Sequence, residues 1–200
     1  PMQVWWPSDE SIQPLDQHLL FVGWSYVKSG LRLSTELFYA LQDGLYEIEA
    51  GANLISSESP VSRMKQGGGR SWGSESLLEY STEKWRAIFA YGYLNYIRQI
   101  DGINNGERYQ SRFDKPHDIK INLLRKLGEN GLLSLSGWYN SGGMIRLPTS
   151  RYQTDLLGNT VIRDHYTRVN NYRMPAYHRL DVSYSRHRSL KFGQQSWQIG

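Results

Sequence analysis

The sequence predicts an all-β protein, an antiparallel up-and-down meander of about eight strands. Three observations predict it. Helical periodicity is nearly absent, while apolar and polar residues alternate with period 2 in one segment after another. The connections between those segments alternate between short and long. Aromatic residues make up 13% of the chain, with 14 Tyr and 7 Trp, residue types that suit a pleated, half-buried surface.

The strands follow in order. Residues 18–27 are strand-like. Leu31, Leu33, Thr35, Leu37 and Tyr39 share one face of the next strand, opposite Arg32, Ser34 and Glu36, with Phe38 beyond them. Trp72, Ser74, Ser76, Leu78 and Tyr80 oppose Gly73, Glu75, Leu77 and Glu79. Residues 85–98 are apolar on both faces, so alternation alone assigns no register there. Ile119, Ile121 and Leu123 oppose Asp118, Lys120 and Asn122. Leu133, Leu135, Gly137 and Tyr139 oppose Ser134, Ser136, Trp138 and Asn140. Leu180, Val182 and Tyr184 oppose Arg179, Asp181, Ser183 and Ser185, and residues 195–200 begin one more strand. Most of these runs are near the ~10 residues that a tilted strand needs to cross a bilayer.

Short connections fall at Lys28-Ser29-Gly30, residues 81–84, 128–131 and 190–194; long ones span residues 41–70, 99–116 and 143–175. Successive connections of a meander lie at opposite ends of the sheet. All the short turns therefore sit at one end and all the long loops at the other, an asymmetry found in outer-membrane barrels. Trp24, Tyr26, Tyr80, Trp85 and Tyr184 lie toward the short-turn ends of their strands, and Tyr39, Tyr93, Tyr96, Trp138 and Tyr139 toward the long-loop ends. Two aromatic girdles at headgroup level are the expectation. Arg32, Glu36, Glu75, Glu79, Asp118, Lys120, Arg179 and Asp181 sit within the strands. A charge facing hydrocarbon near the midplane costs about 2–4 kcal/mol, so they are expected to face a wet interior. Residues 1–200 thus read as an open segment of a transmembrane β-barrel, a partial outer-membrane barrel domain, with the first and last strands unpaired. A soluble β-sandwich binding module has the same alternation, but predicts that Leu180, Val182 and Tyr184 pack against a second sheet.

Composition narrows the chemistry. Twenty-three basic against 19 acidic residues leave a net charge of +4, mild for a dedicated nucleic-acid binder. Cysteine is absent, which removes disulfides, thiolate metal sites and a catalytic thiol. No apolar run reaches the ~18 residues of a membrane helix. The chain opens at Pro1 without a signal peptide and stops at Gly200 in mid-strand, so it reads as an internal piece of a longer protein.

No catalytic, cofactor-binding or metal-binding residue is expected, and the substrate-binding residues are unknown. Gly67-Gly68-Gly69 lacks the Gly-Lys-Ser/Thr of a phosphate loop and reads as a flexible loop end entering a strand. His117, His165, His178 and His187 are scattered, without ligand spacing. The nearest hydrolytic constellation is His178 with Asp181 and Ser183, but period 2 puts His178 on the opposite face, so the chain is not expected to be an enzyme. Arg179, Arg186, His187, Arg188 and Lys191 form a basic cluster without a nucleic-acid motif, and nucleic acid is not an expected partner. The long loop over residues 143–175 holds Tyr152, Tyr166, Tyr172, Arg146, Arg151, Arg163, Arg168 and Arg173. Such a loop fits contact with a ligand, a surface lipoprotein or lipopolysaccharide, and equally plain solvation.

Several stretches carry a family likeness: "VWWPSDESIQPLDQH" over residues 4–18, "GGGRSWGSESLLEY", "INNGERYQSRFDKPHDIKI" with Phe113, Asp114, His117 and Asp118, and "NNYRMPAYHRLDVSYS". In this order they resemble the C-terminal part of the barrel of a TonB-dependent outer-membrane receptor. The resemblance implies a barrel of roughly 22 strands around an N-terminal plug. It also implies residence in the cell outer membrane, contact with outer-membrane lipid, and solute uptake driven by the TonB energy-coupling system through an N-terminal part. Neither plug nor coupling box is legible in these residues, so uptake is implied for the parent protein. A passive porin-like channel or a structural outer-membrane barrel is the alternative that shares the fold.

Overall fold

The computed structural model describes residues 14–48, 64–156 and 159–200. The lead-in expected over residues 4–18 lies outside them up to residue 13. The strands are β1 (Asp16–Lys28), β2 (Leu31–Ile48), β3 (Met64–Ser81), β4 (Trp85–Ile100), β5 (Tyr109–Gln110), β6 (His117–Leu127), β7 (Gly131–Asn140), β8 (Met144–Ile145), β9 (Ser150–Leu156), β10 (Asn159–His165), β11 (Tyr172–Arg173), β12 (Tyr177–Leu190) and β13 (Gly193–Ile199). One antiparallel sheet runs in the order β1-β2-β3-β4-β6-β7-β12-β13, with β5 attached to β4. The order ends at β1 on one side and β13 on the other, so the sheet is an open meander and not a closed barrel.

The short turns are as tight as the sequence implies. Ser29 (φ 44°) and Gly30 (φ 81°) close β1 onto β2 with positive φ at both central residues, the geometry that matches strand twist in a two-residue hairpin. The Gly30 carbonyl accepts the Ser81 N–H at 2.8 Å, and a Cβ on Gly30 would lie 2.3 Å from the Ser81 carbonyl oxygen. Gly30→Val is therefore expected to cost about 1–3 kcal/mol of folding stability, read by urea unfolding in detergent micelles.

Among the described residues, more of the long connections is strand than expected. β2 and β3 extend well into residues 41–70, with a bulge between Gln42 and Leu45. Gly67-Gly68-Gly69 is not a loop end. It is a strand segment, paired to Ile100, Gln99 and Arg98 of β4. A Cβ on Gly67 would lie 2.5 Å from the Gln99 carbonyl oxygen and 2.6 Å from the Ile100 Cα, so glycine here permits a close backbone approach. Residues 143–175 likewise carry β8 paired to β11 and a separate hairpin of β9 and β10.

Pairing fixes which side chains share a face. It also supplies the register that β4 lacks in sequence: Phe89 lies between Leu78 and Ile121, and Ala90 between Leu77 and Lys120. One face carries the row Tyr26–Leu33–Leu78–Phe89–Ile121–Gly137–Leu180 and, beside it, Lys28–Leu31–Tyr80–Ala87–Leu123–Leu135–Val182. The opposite face carries Gly23–Glu36–Glu75–Gly92–Asp118–Asn140–Tyr177. The apolar face is uncovered: Leu20 is 74% exposed, Leu180 67% and Val182 51%. The packing of Leu180 and Val182 that a soluble sandwich predicts is not formed.

Aromatic residues on the apolar face form two diagonal lines. The first runs from Tyr39 and Trp72, which pair, to Tyr93 one row lower, and then to the row that joins Tyr91 through Ile119 to Tyr139. The second runs from Tyr26 to Tyr80 one row lower, then to the row that joins Trp85 through Arg125 and Leu133 to Tyr184, and then to Trp197. Both lines step in the same direction across the sheet. Two residues expected in the long-loop girdle lie on the other face. Tyr96 follows the row of Ser71, and Trp138 the row of Lys120 and Arg179, because alternation from Tyr93 and Tyr139 forces them there.

Candidate functional site

The charged face forms a trough of about 690 Å³. The side chains of Ser25, Ser34, Glu36, Glu75, Asp118 and Lys120 border it, and Gly23, Ala90 and Gly92 leave its floor shallow. β1 to β4 each contribute two residues of the charged face with the intervening residue supplying backbone, and β6 contributes Asp118 and Lys120, so the concavity belongs to this face. Lys120 lies 3.8 Å from Asp118, Arg32 3.9 Å from Glu79, and Arg179 2.8 Å from Asp181. Trp138 donates its indole N–H to Asp118 Oδ1 at 3.0 Å and meets the Tyr177 ring edge-on at 5.2 Å. Glu36 and Glu75 face one another directly and make no ion pair among the described residues. Like charges opposite one another disfavour pairing, and hydration of an open face lessens that repulsion.

The long-loop end of this face is capped. Leu45, Ile100, Ile103, Tyr109 and Val169 form a small buried cluster over the sheet. Two asparagines dock loop to loop by imitating strand pairing. Asn104 donates Nδ2–H to the Val169 carbonyl (3.1 Å) and accepts the Val169 N–H (2.7 Å), and Asn171 does the same to Leu147 at 3.0 and 2.8 Å. Asn170 adds a bond to the Gln110 carbonyl at 2.9 Å. Arg168 pairs with Glu107, and Arg98 with Glu47 at 2.7 Å.

At the centre of the cap, Asp114 is fully buried. Its Oδ1 accepts the Tyr96 N–H at 2.7 Å, and its Oδ2 receives the Arg173 guanidinium. Arg173 also donates to the carbonyls of Asp114 (2.8 Å) and Gly142 (3.1 Å). Two of the stretches that carry the family likeness therefore meet at this pair. Their other residues separate. Phe113 is exposed, with the Arg112 guanidinium 4.7 Å above its ring, and His117 bonds the Tyr91 hydroxyl at 3.0 Å on the apolar face. Asp118 enters the trough. Alternation does not reveal the Asp114–Arg173 contact, because Asp114 precedes β6 and Arg173 sits in the two-residue β11, too short to carry a pattern. A usable signal exists: β6 and β12 flank β7, so the segments leading into them approach from the same end.

Among the described residues, Tyr109 is the strongly shifted acid of the cap. Burial pushes its phenol up to about 12, and the Glu47 carboxylate adds to the shift while Arg98 opposes it. Its buried hydroxyl forms no well-oriented hydrogen bond. The unfolded phenol ionises near 10 and the folded one only near 12. The folded state thus holds the proton that the unfolded state loses, and stability falls between pH 10 and 12. Tyr109→Phe is expected to abolish this alkaline loss and to leave stability at pH 7 within about 1 kcal/mol. Urea midpoints at several alkaline pH values check both.

The remaining candidates stay apart. His178 pairs with Tyr139, whereas Asp181 pairs with Ser136 and Ser183 with Ser134, so His178 lies on the face opposite the other two. Among the described residues no three His, Asp or Glu side chains converge on a point that a metal ion would occupy. Arg186, His187 and Arg188 are exposed near the β12–β13 turn. Of the Tyr and Arg of residues 143–175, Arg168 and Arg173 enter the cap, Arg146 reaches the Ile48 carbonyl at 3.4 Å, and Arg151 pairs with Asp164 across the β9–β10 hairpin at 2.8 Å. Tyr152 and Tyr172 remain exposed. Comparison with models of known protein families, with curated proteins and with solved structures gives no match.

Proposed function

We propose that this chain is a section of the wall of an outer-membrane β-barrel, with lipid against its apolar face and an aqueous lumen against its charged face. The parent activity that fits is solute uptake of the TonB-dependent kind, in keeping with the family likeness of the Asp114 and Arg173 stretches. The observation that carries the reading is the one-layer sheet: between the two aromatic lines one face exposes Phe89, Leu180 and Val182 and carries no carboxylate, while Glu36, Glu75, Glu79, Asp118 and Asp181 stand on the other. In water, burial of so large an apolar surface is worth roughly 25 cal/mol per Å², so leaving it bare calls for an apolar neighbour.

The dimensions agree with a bilayer. Trp72 and Tyr80 on β3, and Tyr93 and Trp85 on β4, lie eight residues apart. That is about 26 Å along a strand and roughly 20 Å across a slab for strands tilted by about 40°, close to the apolar band of such barrels. The diagonal drift of both aromatic lines is what tilted strands require if each line is to stay level with one interface. The cap and the β9–β10 hairpin then stand at the external mouth, and the trough lies along the solute path.

Tryptophan fluorescence of the chain in phosphatidylcholine vesicles tests the lipid half. Brominated acyl chains are expected to quench it strongly. A chain that stays monodisperse without detergent and is not quenched overturns the proposal. For the transport half, disruption of the full-length gene is expected to abolish energy-dependent uptake of at least one solute. Uptake that persists without the energy-coupling system favours a passive channel.

A further inference from the structure

On the apolar face, β1 and β12 follow one order toward the short turns. Hydrophobic residues come first, then a Trp or Tyr, then a cation. Arg125 pairs directly with Trp85 and places its guanidinium 4.8 Å above the indole. Arg186 pairs directly with Trp197, and Arg188 follows on the same face two residues nearer the turn. Lys28 occupies the row of Tyr80, joined to it through Leu31. All four cations are exposed, and none forms an ion pair among the described residues. From the Tyr39–Trp72 row to the short turns, this face carries no carboxylate. Glu83 and Glu129 lie in the turns themselves.

A cation needs neither an aromatic neighbour nor an acid-free face to be soluble. This order does match the border of a bilayer leaflet: acyl chains, then the interfacial ring level, then the headgroup phosphates. We propose that Lys28, Arg125, Arg186 and Arg188 form a binding belt for anionic phospholipid headgroups in the leaflet at the short-turn end. The planar guanidinium of Arg125, held over Trp85, offers paired N–H donors to a phosphate while the ring seats the glycerol region below it. The inference rests on the membrane-wall reading and adds a lipid preference to it.

The test compares brominated phosphatidylglycerol with brominated phosphatidylcholine, at equal mole fraction, as quenchers of tryptophan fluorescence in reconstituted vesicles. Phosphatidylglycerol is expected to be preferred, each cation contributing about five-fold to relative association. The triple variant Arg125→Gln, Arg186→Gln, Arg188→Gln is expected to lose most of that preference while quenching by brominated phosphatidylcholine is unchanged. Equal quenching by the two lipids in the wild type overturns the belt and leaves the wall reading standing. A preference that survives in the triple variant also overturns it. So does a preference removed by millimolar inorganic phosphate, which would assign the cations to a free anion. Absence of quenching by either lipid overturns both readings.

Discussion

Leu180→Arg is expected to destabilise the protein in a bilayer by about 2–4 kcal/mol, the cost of holding a guanidinium in the apolar band. Leu180 lies on β12 in the same row as Phe89 and Ile121, about midway between the two aromatic lines, and is 67% exposed. The next residue gives the control. Asp181 faces the other way and pairs with Arg179 in an exposed contact. Asp181→Asn is expected to cost less than about 1 kcal/mol, as exposed ion pairs usually do. Guanidinium-induced unfolding from phosphatidylcholine vesicles measures both. Equal losses at the two positions, or none at Leu180, would remove the physical basis of the two-faced wall.

The second large effect is expected at Asp114. Asp114→Ala leaves the partly buried Arg173 guanidinium without its counter-charge and the Tyr96 N–H without its acceptor. Removing one partner of a buried pair costs about 3–5 kcal/mol. Arg173 keeps two carbonyl partners and some solvent contact, so the lower end of that range applies. The loss is expected to be local. Hydrogen exchange should accelerate at Tyr96 and Val169, where the cap meets the sheet, and change little at Leu123 or Leu135, in the middle of the ladder. Asp114→Asn keeps an acceptor for Tyr96 and is expected to fall between wild type and Ala. Uniform acceleration across the sheet would mean that the pair supports the whole fold instead of the cap.

Alternation reads the two faces of the sheet directly. Leu180 and Asp181, or Ile121 and Lys120, are assigned to opposite faces by a period of two, and pairing places them there. The same rule puts Trp138 beside Lys120 and Arg179, against the attraction of assigning every aromatic near a strand end to an interfacial ring. Alternation fails where both faces are apolar, as in β4, because Trp85, Ala87 and Phe89 are then indistinguishable from Arg86, Ile88 and Ala90 until neighbours fix the register. It also fails at Gly67-Gly68-Gly69. Glycine has no side chain to carry a pattern, and the close approach of Gln99 and Ile100 that demands it is a property of the neighbouring strand.

The 200 residues by themselves determined the strand class, the two faces and the sorting of short turns from long connections, because each depends only on local spacing along the chain. The tertiary structure alone decided the capped end. Asp114 and Arg173 lie 59 positions apart, and Asn104 and Val169 lie 65 apart. No local period encodes such contacts. They form only because β6 and β12 flank β7, which brings the segments leading into β6 and β12 to the same end of the sheet.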